Sequence, residues 1–186
     1  MRIISGNLKG RKINFIKNKT TRPLTDRVKE NIFNLLNHSN NVSVKLENKN
    51  ILDAYSGVGS FGLECISRGV KKVDFIEKDY VAYQILIKNI KDLCLEKNYD
   101  TENIDLEKFL NFNKKKQYDI IFFDPPFEEI LYLNNLKIIH EQKMFTKNNL
   151  LIIHREKKHK EIFPRYIKLI LTRDYGRSRV YFGTFL

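Results

Sequence analysis

Residues 120–127 read Ile120-Ile121-Phe122-Phe123-Asp124-Pro125-Pro126-Phe127, an apolar run that ends in an acid, two prolines and an aromatic ring. Four consecutive apolar residues indicate a strand buried on both faces, as in the centre of a parallel sheet. Asp124 should then emerge at the C-terminal end of that strand, in a stiff corner with surplus carbonyl acceptors. Asp-Pro alone also fits an acid that ends a strand before a turn. With the second proline and the ring, the corner suits a planar heterocycle that carries an amino group.

The length and composition of the chain predict one domain with a full hydrophobic core. Its 186 residues are 42% hydrophobic, and no apolar run approaches the length of a membrane span. The first residues lack a signal-peptide pattern, so we expect a cytoplasmic protein with no membrane partner. Cys65 and Cys94 have no paired spacing, which predicts reduced, buried thiols rather than a disulfide or a metal site. The four histidines are scattered, and none is assigned a catalytic role.

Positive charge is concentrated at the two ends of the chain, which carries a formal net charge of +12. Residues 1–30 contain nine lysines and arginines against two acids, and residues 154–180 contain nine against three. The middle of the chain is nearly neutral. A general abundance of lysine would spread the charge evenly, so this distribution favours surfaces that bind a polyanion. Nucleic acid is the predicted partner.

Strand patterns alternate with helical ones through the middle of the chain. Strands are predicted at residues 50–55, 73–77, 99–104, 118–124 and 150–154, the third of them polar and weak, and the last helix at residues 129–142. The alternation predicts an α/β fold in which helices cover both faces of a parallel sheet. Residues 165–171 and 180–186 predict a terminal hairpin.

The N-terminal region precedes this alternation and has its own pattern. Residues 2–4 and 11–16 predict a small β-hairpin. A helix follows with Thr25 or Asp26 as its cap. Its apolar positions follow helical spacing and leave Arg27 and Lys29 outside the buried stripe.

A glycine-rich turn follows the first strand of the sheet, with Asp53 before it and Gly57, Gly59 and Gly62 within it. Glycines let backbone N–H groups approach a ligand closely, although the pattern alone also fits a dinucleotide site or a tight structural turn. An acid at Asp53 would repel a pyrophosphate and attract a cationic amino-acid group. Glu77, at the end of the second strand, could accept both hydroxyls of a ribose. A ligand with a ribose and an ammonium group but no phosphate is S-adenosyl-L-methionine.

The segment 53–62, Glu77 and the segment 124–127 together resemble the class I methyltransferases that methylate exocyclic amino groups. Two N-terminal pieces, residues 10–12 and 21–30, resemble a narrower group, the bacterial 16S ribosomal RNA guanine-N2 methyltransferases of the RsmD type. The resemblance spans almost the whole chain in the right order. Its most specific part is the N-terminal one, because Asp-Pro-Pro-Phe also occurs in adenine and cytosine enzymes.

The resemblance implies a Rossmann-like fold with a seven-stranded, mostly parallel sheet whose last strand is antiparallel. It divides the chain into a basic RNA-binding extension at residues 1–40 and a methyltransferase domain at residues 41–186. The enzyme would be a monomer that acts on small-subunit ribosomal RNA or the 30S particle. The implied cofactor contacts are Asp53, Tyr55, Gly57, Gly59, Phe61, Glu77, Lys78 and Asp105. The two basic ends of the chain supply the predicted RNA contacts, which are Arg11, Lys12, Arg22, Arg27 and Lys29, with Arg173, Arg177 and Arg179 as a second set. Arg22 and Arg27 equally fit a structural role in which they pair with Asp26 or Glu30.

The reaction implied by the resemblance is in-line transfer of a methyl group to the N2 of a specific guanine, with no metal required. Asp124 and the Pro125 carbonyl would each accept one N–H of the amino group, Pro126 would stiffen the corner, and Phe127 would stack on the base. Methylation of adenine in DNA or RNA, or of a protein glutamine, would use the same corner. A non-enzymatic RNA-binding ribosome assembly factor is a further alternative, which predicts no cofactor binding.

Overall fold

The computed structural model of the chain describes residues 1–15, 24–95, 98–126, 129, 131–158 and 161–186. The elements are α1 Asp26–His38, β1 Asn50–Asp53, α2 Ser60–Ser67, β2 Lys72–Ile76, α3 Tyr80–Asp92, β3 Tyr99–Glu102, α4 Leu106–Phe112, β4 Tyr118–Phe123, α5 Tyr132–Glu141, β5 Phe145–Glu156, β6 Ile167–Tyr175 and β7 Ser178–Phe185. Among the described helices, none is both long and apolar enough to cross a membrane.

Seven strands form one sheet in the order β3-β2-β1-β4-β5-β7-β6. Strands β1 to β5 pair in parallel, whereas β7 pairs antiparallel with both β5 and β6. The predicted seven-stranded, mostly parallel sheet is confirmed. The strand order reverses between β1 and β4, and ligands of doubly wound sheets bind at such a reversal, beyond the C-terminal ends of the strands. The segments that follow β1 and β4 therefore begin side by side.

Strand β4 is buried on both faces, as its apolar run predicts. Ile120 and Phe122 face the side covered by α1, α2 and α3, whereas Ile121 and Phe123 face the side covered by α4 and α5. The sequence analysis did not predict α4, which has seven residues and so only about two turns of apolar spacing. This helix completes the second layer over β4.

The segment before α1 forms the predicted hairpin only over a short stretch, where Ile3 donates to the carbonyl of Arg11 and accepts from the N–H of Gly10, both at 2.9 Å, and Ile13 donates to the carbonyl of Met1 at 3.0 Å. Arg2 and Lys12 make one isolated antiparallel bridge, and no longer ladder joins the described residues on either side. The buried carboxylate of Glu64, on α2, accepts the backbone N–H of Ile4 at 2.7 Å and of Ser5 at 2.9 Å. The segment is therefore held both by this short pairing and by α2.

Helix α1 begins as predicted, with the Thr25 hydroxyl accepting the N–H of Val28 at 3.3 Å. The prediction that Lys29 lies outside the buried stripe is wrong, since its side chain is fully buried. Its Nζ donates to the carbonyl of Arg2 at 2.8 Å and lies 3.7 Å from Glu64 Oε2. Burial lowers the pKa of Lys29, and the charge of Glu64 opposes that shift. Lys29 thus anchors the N-terminal segment, which packs with α1 into the same core as the sheet.

The two cysteines differ in exposure. Cys65 is buried in α2, which confirms the predicted buried thiol. The same prediction is wrong for Cys94, which is exposed and lies beyond the end of α3 with a φ of 52°. A left-handed φ is incompatible with continuation of the helix.

Candidate active site

Asp124 directly follows β4, and 19% of its side chain is exposed. Phe123 is the partner of Ile153 in the sheet, so the next residues along the two strands, Asp124 and His154, project from the same face. His154 Nδ1 lies 2.8 Å from Asp124 Oδ1. Burial lowers the pKa of His154, but the Asp124 carboxylate raises it by more, so that this pKa lies above its ordinary value. Phe127 is outside the residues that the structure describes.

Arg155 supports the same corner from the opposite face of the sheet. Its Nη1 donates to the carbonyl of Pro126 at 2.9 Å and, more weakly, to that of Pro125 at 3.4 Å. Its Nη2 donates to the carbonyl of Glu129 at 3.4 Å. Its Nε donates to the Glu161 carboxylate at 2.7 Å. A buried guanidinium with several acceptors fixes the path of the backbone after Asp124.

The turn after β1 is tight at two of its glycines and open at the third. A Cβ at Gly59 would lie 2.5 Å from Leu86 Cδ1, and one at Gly62 would lie 2.2 Å from Phe75 Cε1. Gly57 also has a left-handed φ, of +53°, but a Cβ there would meet nothing within 4 Å. The turn therefore packs closely on the core and leaves space beside its backbone at Gly57.

Asp53 lies beneath this turn and is 1% exposed. Its Oδ2 accepts the N–H of Gly62 at 2.9 Å, whereas its Oδ1 accepts no hydrogen bond from the residues that the structure describes. Burial raises the pKa of Asp53 to about 8; the Gly62 bond opposes that shift, and the charges of Asp124 and Glu77 add to it. A buried acceptor without a donor is unfavourable. A cationic group with an N–H would satisfy it, so Asp53 fits the ammonium end of the predicted cofactor.

Glu77 closes the same turn from the end of β2. Its Oε2 accepts the N–H of Gly57 at 2.7 Å, and its Oε1 accepts that of Asp79 at 2.7 Å. Burial raises the pKa of Glu77, and these two hydrogen bonds oppose the shift. Each carboxylate oxygen can accept a second hydrogen bond. Glu77 can thus hold the turn and still accept hydrogen bonds from ribose hydroxyls. Its contact with a ribose stays a prediction.

Tyr55 and Lys78, two predicted cofactor contacts, are joined through Glu129. The Tyr55 hydroxyl donates to Glu129 Oε1 at 3.3 Å and accepts from Asn135 Nδ2 at 2.9 Å. Lys78 Nζ lies 3.3 Å from Glu129 Oε2. Burial raises the pKa of Tyr55, so its hydroxyl remains a donor. This network connects the segments after β1 and β2 to the segment after β4.

Two other predicted cofactor contacts are placed differently. The Phe61 ring is 1% exposed and stacks on Phe122 and Phe33, with ring centroids 4.0 Å and 5.2 Å apart. Its side chain belongs to the core and cannot contact the cofactor, whereas a contact through the backbone of Phe61 stays a prediction. Asp105 is exposed and caps α4 by accepting the N–H of Glu107 at 2.9 Å. Its contact with an adenine amino group stays a prediction.

The predicted RNA contacts differ in exposure. Lys29 is buried and cannot reach a phosphate, so its assignment is wrong. Arg11 donates at 2.6 Å to a main-chain carbonyl at the C-terminal end of α3. That end lies near the N-terminal ends of the strands, because a helix between parallel strands runs back across the sheet. Lys12 and Arg27 are exposed, and Arg22 is outside the described residues.

His154 and Arg155 are site residues that the sequence analysis missed. They follow an apolar run in β5 and carry no motif of their own. The signal that identifies them is topological, since polar residues at the C-terminal end of the strand beside β4 must meet the Asp124 corner. Using that signal requires knowledge that β5 pairs with β4.

Comparisons with known proteins identify the family to which the chain belongs. A family model described as conserved hypothetical protein 95 matches residues 1–184. A ribosomal RNA small subunit methyltransferase D from Buchnera aphidicola subsp. Acyrthosiphon pisum is 35% identical, over 88% of this chain and 82% of that relative. A protein of the same name from Haemophilus influenzae is 32% identical, over 95% of this chain and 89% of that relative.

Solved structures show the same fold. The Escherichia coli protein yhhF is 28% identical and aligns with a TM-score of 0.83, over 100% of this chain and 97% of its own. An RNA methyltransferase from Salinibacter ruber, solved in complex with S-adenosyl-L-homocysteine, is 15% identical and has a TM-score of 0.66, over 88% of this chain and 94% of its own. The fold is that of a class I methyltransferase. The chain therefore belongs to the RsmD-type family of ribosomal RNA methyltransferases.

Proposed function

We propose that this protein transfers a methyl group from S-adenosyl-L-methionine to the exocyclic N2 of a specific guanine in small-subunit ribosomal RNA, free or in the 30S particle. The observation that carries the proposal is the placement of Asp53 and Asp124 on the same face of the sheet, at the ends of neighbouring strands. The names of the relatives support the RNA substrate. The guanine N2 rests on the likeness of the N-terminal segments to the guanine-N2 enzymes.

The residues after β1 and β2 would hold the cofactor. Asp53 Oδ1 would accept from its ammonium group, Glu77 would accept from its ribose hydroxyls, and the open side of Gly57 would lie against it. S-adenosyl-L-methionine supplies a methyl group on a positively charged sulfur, so that a nitrogen–carbon bond forms while the carbon–sulfur bond breaks and leaves its electron pair on sulfur. Tyr55 and Lys78 would support the pocket through Glu129.

The corner after β4 would hold the acceptor. A guanine amino nitrogen is a poor nucleophile because its lone pair is delocalised into the ring. Asp124 and the Pro125 carbonyl would each accept one N–H, which favours a pyramidal nitrogen and stabilises its growing positive charge. Asp124 would then take the proton that the nitrogen loses. Phe127 would stack on the base, worth about 1–3 kcal/mol by analogy with single-strand platforms.

We expect Asp124→Ala to lower the methylation rate by roughly a hundredfold or more, because the amino group loses its charged acceptor. The affinity for S-adenosyl-L-methionine should change by less than about threefold, since Asp124 lies on the acceptor side. Transfer of labelled methyl groups to small ribosomal subunits from cells lacking the protein measures the rate, and calorimetry measures cofactor affinity.

Glu141→Ala, which removes an exposed acid from α5, is the matched control and should leave both quantities unchanged. Mass spectrometry of the digested RNA should identify N2-methylguanosine. A fully active Asp124→Ala enzyme would remove the carboxylate from this role. A different methylated nucleoside would replace the proposed acceptor with another.

A further inference from the structure

We propose that His154 is a positioning residue, which orients the Asp124 carboxylate for the acceptor amino group and thereby sets the rate of transfer. The inference rests on the proposed function of Asp124. His154 Nδ1 lies 2.8 Å from Asp124 Oδ1, and the two side chains share one face of the sheet. No local sequence motif predicts this contact.

The burial of His154 shows why this contact matters. Its side chain is 3% exposed, at the end of the apolar run Leu150–Ile153. A polar ring in such a place is tolerated when it is hydrogen-bonded. Because an ionised carboxylate can only accept a hydrogen bond, Nδ1 of His154 must carry a proton and donate to Asp124 Oδ1. This holds for both the neutral and the charged imidazole. The imidazole position is therefore tied to the carboxylate.

The same hydrogen bond limits the orientation of Asp124. A carboxylate held at one oxygen can no longer rotate freely, so its second oxygen points in a fixed direction. The side chain of Asp124 retains 19% exposure, which leaves part of the carboxylate accessible to a substrate. Arg155 fixes the carbonyls of the next two residues from the opposite face. The acceptor groups of the corner are thus held by consecutive residues of β5, as a preorganised site requires.

The charges around His154 determine the direction in which its pKa shifts. Asp124 on β4 raises the pKa of His154, whereas burial and Arg155 on its own strand lower it, and the net shift is upward. The partner of His154 on β7 is Val180, which is apolar. When His154 takes up its second proton, the positive charge weakens Asp124 as an acceptor. The turnover number should therefore fall as the pH drops through the pKa of His154.

Two substitutions separate the hydrogen bond from the charge. His154→Leu removes the donor and should lower kcat by roughly 10–100-fold, the usual effect of losing a residue that orients a reactive group. The KM for small ribosomal subunits and the Kd for S-adenosyl-L-methionine should stay within about threefold of the values for the unsubstituted protein.

His154→Asn places an amide N–H near the position of Nδ1 and should restore kcat to within about fivefold of the unsubstituted protein. His38→Leu, at an exposed position on α1, is the matched control and should change none of these values.

The pH dependence of kcat gives a second readout, which also applies if His154→Leu does not fold. In the unsubstituted protein kcat should fall on the acid side with the titration of His154. In His154→Asn that fall should move to lower pH, because asparagine does not titrate. An unchanged pH profile, or equal kcat values for His154→Leu and the unsubstituted protein, would overturn the inference. Loss of methylation in the unsubstituted protein would instead overturn the proposed function.

Discussion

Asp53 combines a proposed role in cofactor binding with a cost to the stability of the fold. Its pKa of about 8 in the folded protein lies above its ordinary value of 3.8. Between these pH values the unfolded chain has released the proton and the folded protein still holds it. Stability therefore decreases as the pH rises through this range. A bound cation would reverse the effect, because it favours the ionised carboxylate.

We expect Asp53→Asn to raise the free energy of unfolding of the cofactor-free protein. The gain should grow with pH by up to about 1.4 kcal/mol per pH unit between roughly pH 4 and pH 8, because asparagine cannot ionise. Urea unfolding at a series of pH values measures it, and the shifts of other groups cancel in the difference between the two proteins.

The same substitution should weaken S-adenosyl-L-methionine binding at least about tenfold, since it removes the charge that faces the ammonium group. A stability difference that does not vary with pH would contradict the assigned ionisation of Asp53.

Strand β5 supports the Asp124 corner from both faces of the sheet, because alternate side chains of a strand point to opposite faces. His154 reaches the Asp124 side chain on one face. On the other, the Arg155 guanidinium lies 4.6 Å above the Tyr132 ring and 2.7 Å from the Glu161 carboxylate. Arginine donates in several directions from a planar group, whereas lysine offers one flexible charge. The backbone after β4 is therefore held by a group that lysine cannot replace.

We expect Arg155→Lys to lower the free energy of unfolding by about 1–3 kcal/mol through lost hydrogen bonds. Arg155→Met should lower it by about 3–5 kcal/mol, because it leaves the Glu161 carboxylate without its charge partner. Urea unfolding measures both. Arg165→Lys, at an exposed position, should change stability by less than about 0.5 kcal/mol. A lysine variant as stable as the unsubstituted protein would contradict this account.

Over the whole molecule, the count of 34 lysines and arginines overstates the number of cations that are exposed and free of an acidic partner. Lys29 is buried. In the C-terminal hairpin, Arg177 lies 2.9 Å from Glu156 and Arg179 lies 2.7 Å from Asp174. The charge distribution along the chain predicts a polyanion partner, but the contacts decide which residues can reach it.

We expect the double substitution Lys12→Ala and Arg27→Ala to weaken RNA binding and to make its salt dependence shallower. Both residues are exposed, and two fewer phosphate contacts should reduce the slope of log affinity against log salt concentration by about 1.4–1.8. Titrations with small-subunit RNA at about 50–200 mM salt measure it. Removal of Lys114 and Lys115, exposed where β4 begins, is the matched control. Equal slopes in the two double variants would contradict a specific role for the first pair.

The parts of the fold and site that depend on local pattern could be predicted from the sequence. The burial of residues 120–123 follows from their apolar run, and the Thr25 cap follows from its place before an amphipathic segment. The glycine turn and the acids beside it follow from residue type and spacing. Strand β3 is a polar edge strand, so its residues give only a weak strand pattern. Tyr99–Glu102 nevertheless pairs with β2.

Contacts between distant segments could not be predicted in this way. His154 and Asp124 are 30 residues apart, and their contact exists because β5 pairs with β4. The burial of Lys29 depends on Glu64, which lies on another helix and supplies a compensating charge. Phe61 has the spacing of a turn residue, but two aromatic rings in the core enclose it. In each case tertiary packing outweighed the local pattern.

The hydrogen bonds that Glu64 accepts from the N–H groups of Ile4 and Ser5 also determine an order of events during synthesis. Ile4 leaves the ribosome 60 residues before the carboxylate that will hold it. The N–H groups of Ile4 and Ser5 therefore lack their acceptor until α2 has been synthesised. These two residues can dock only after that helix is available.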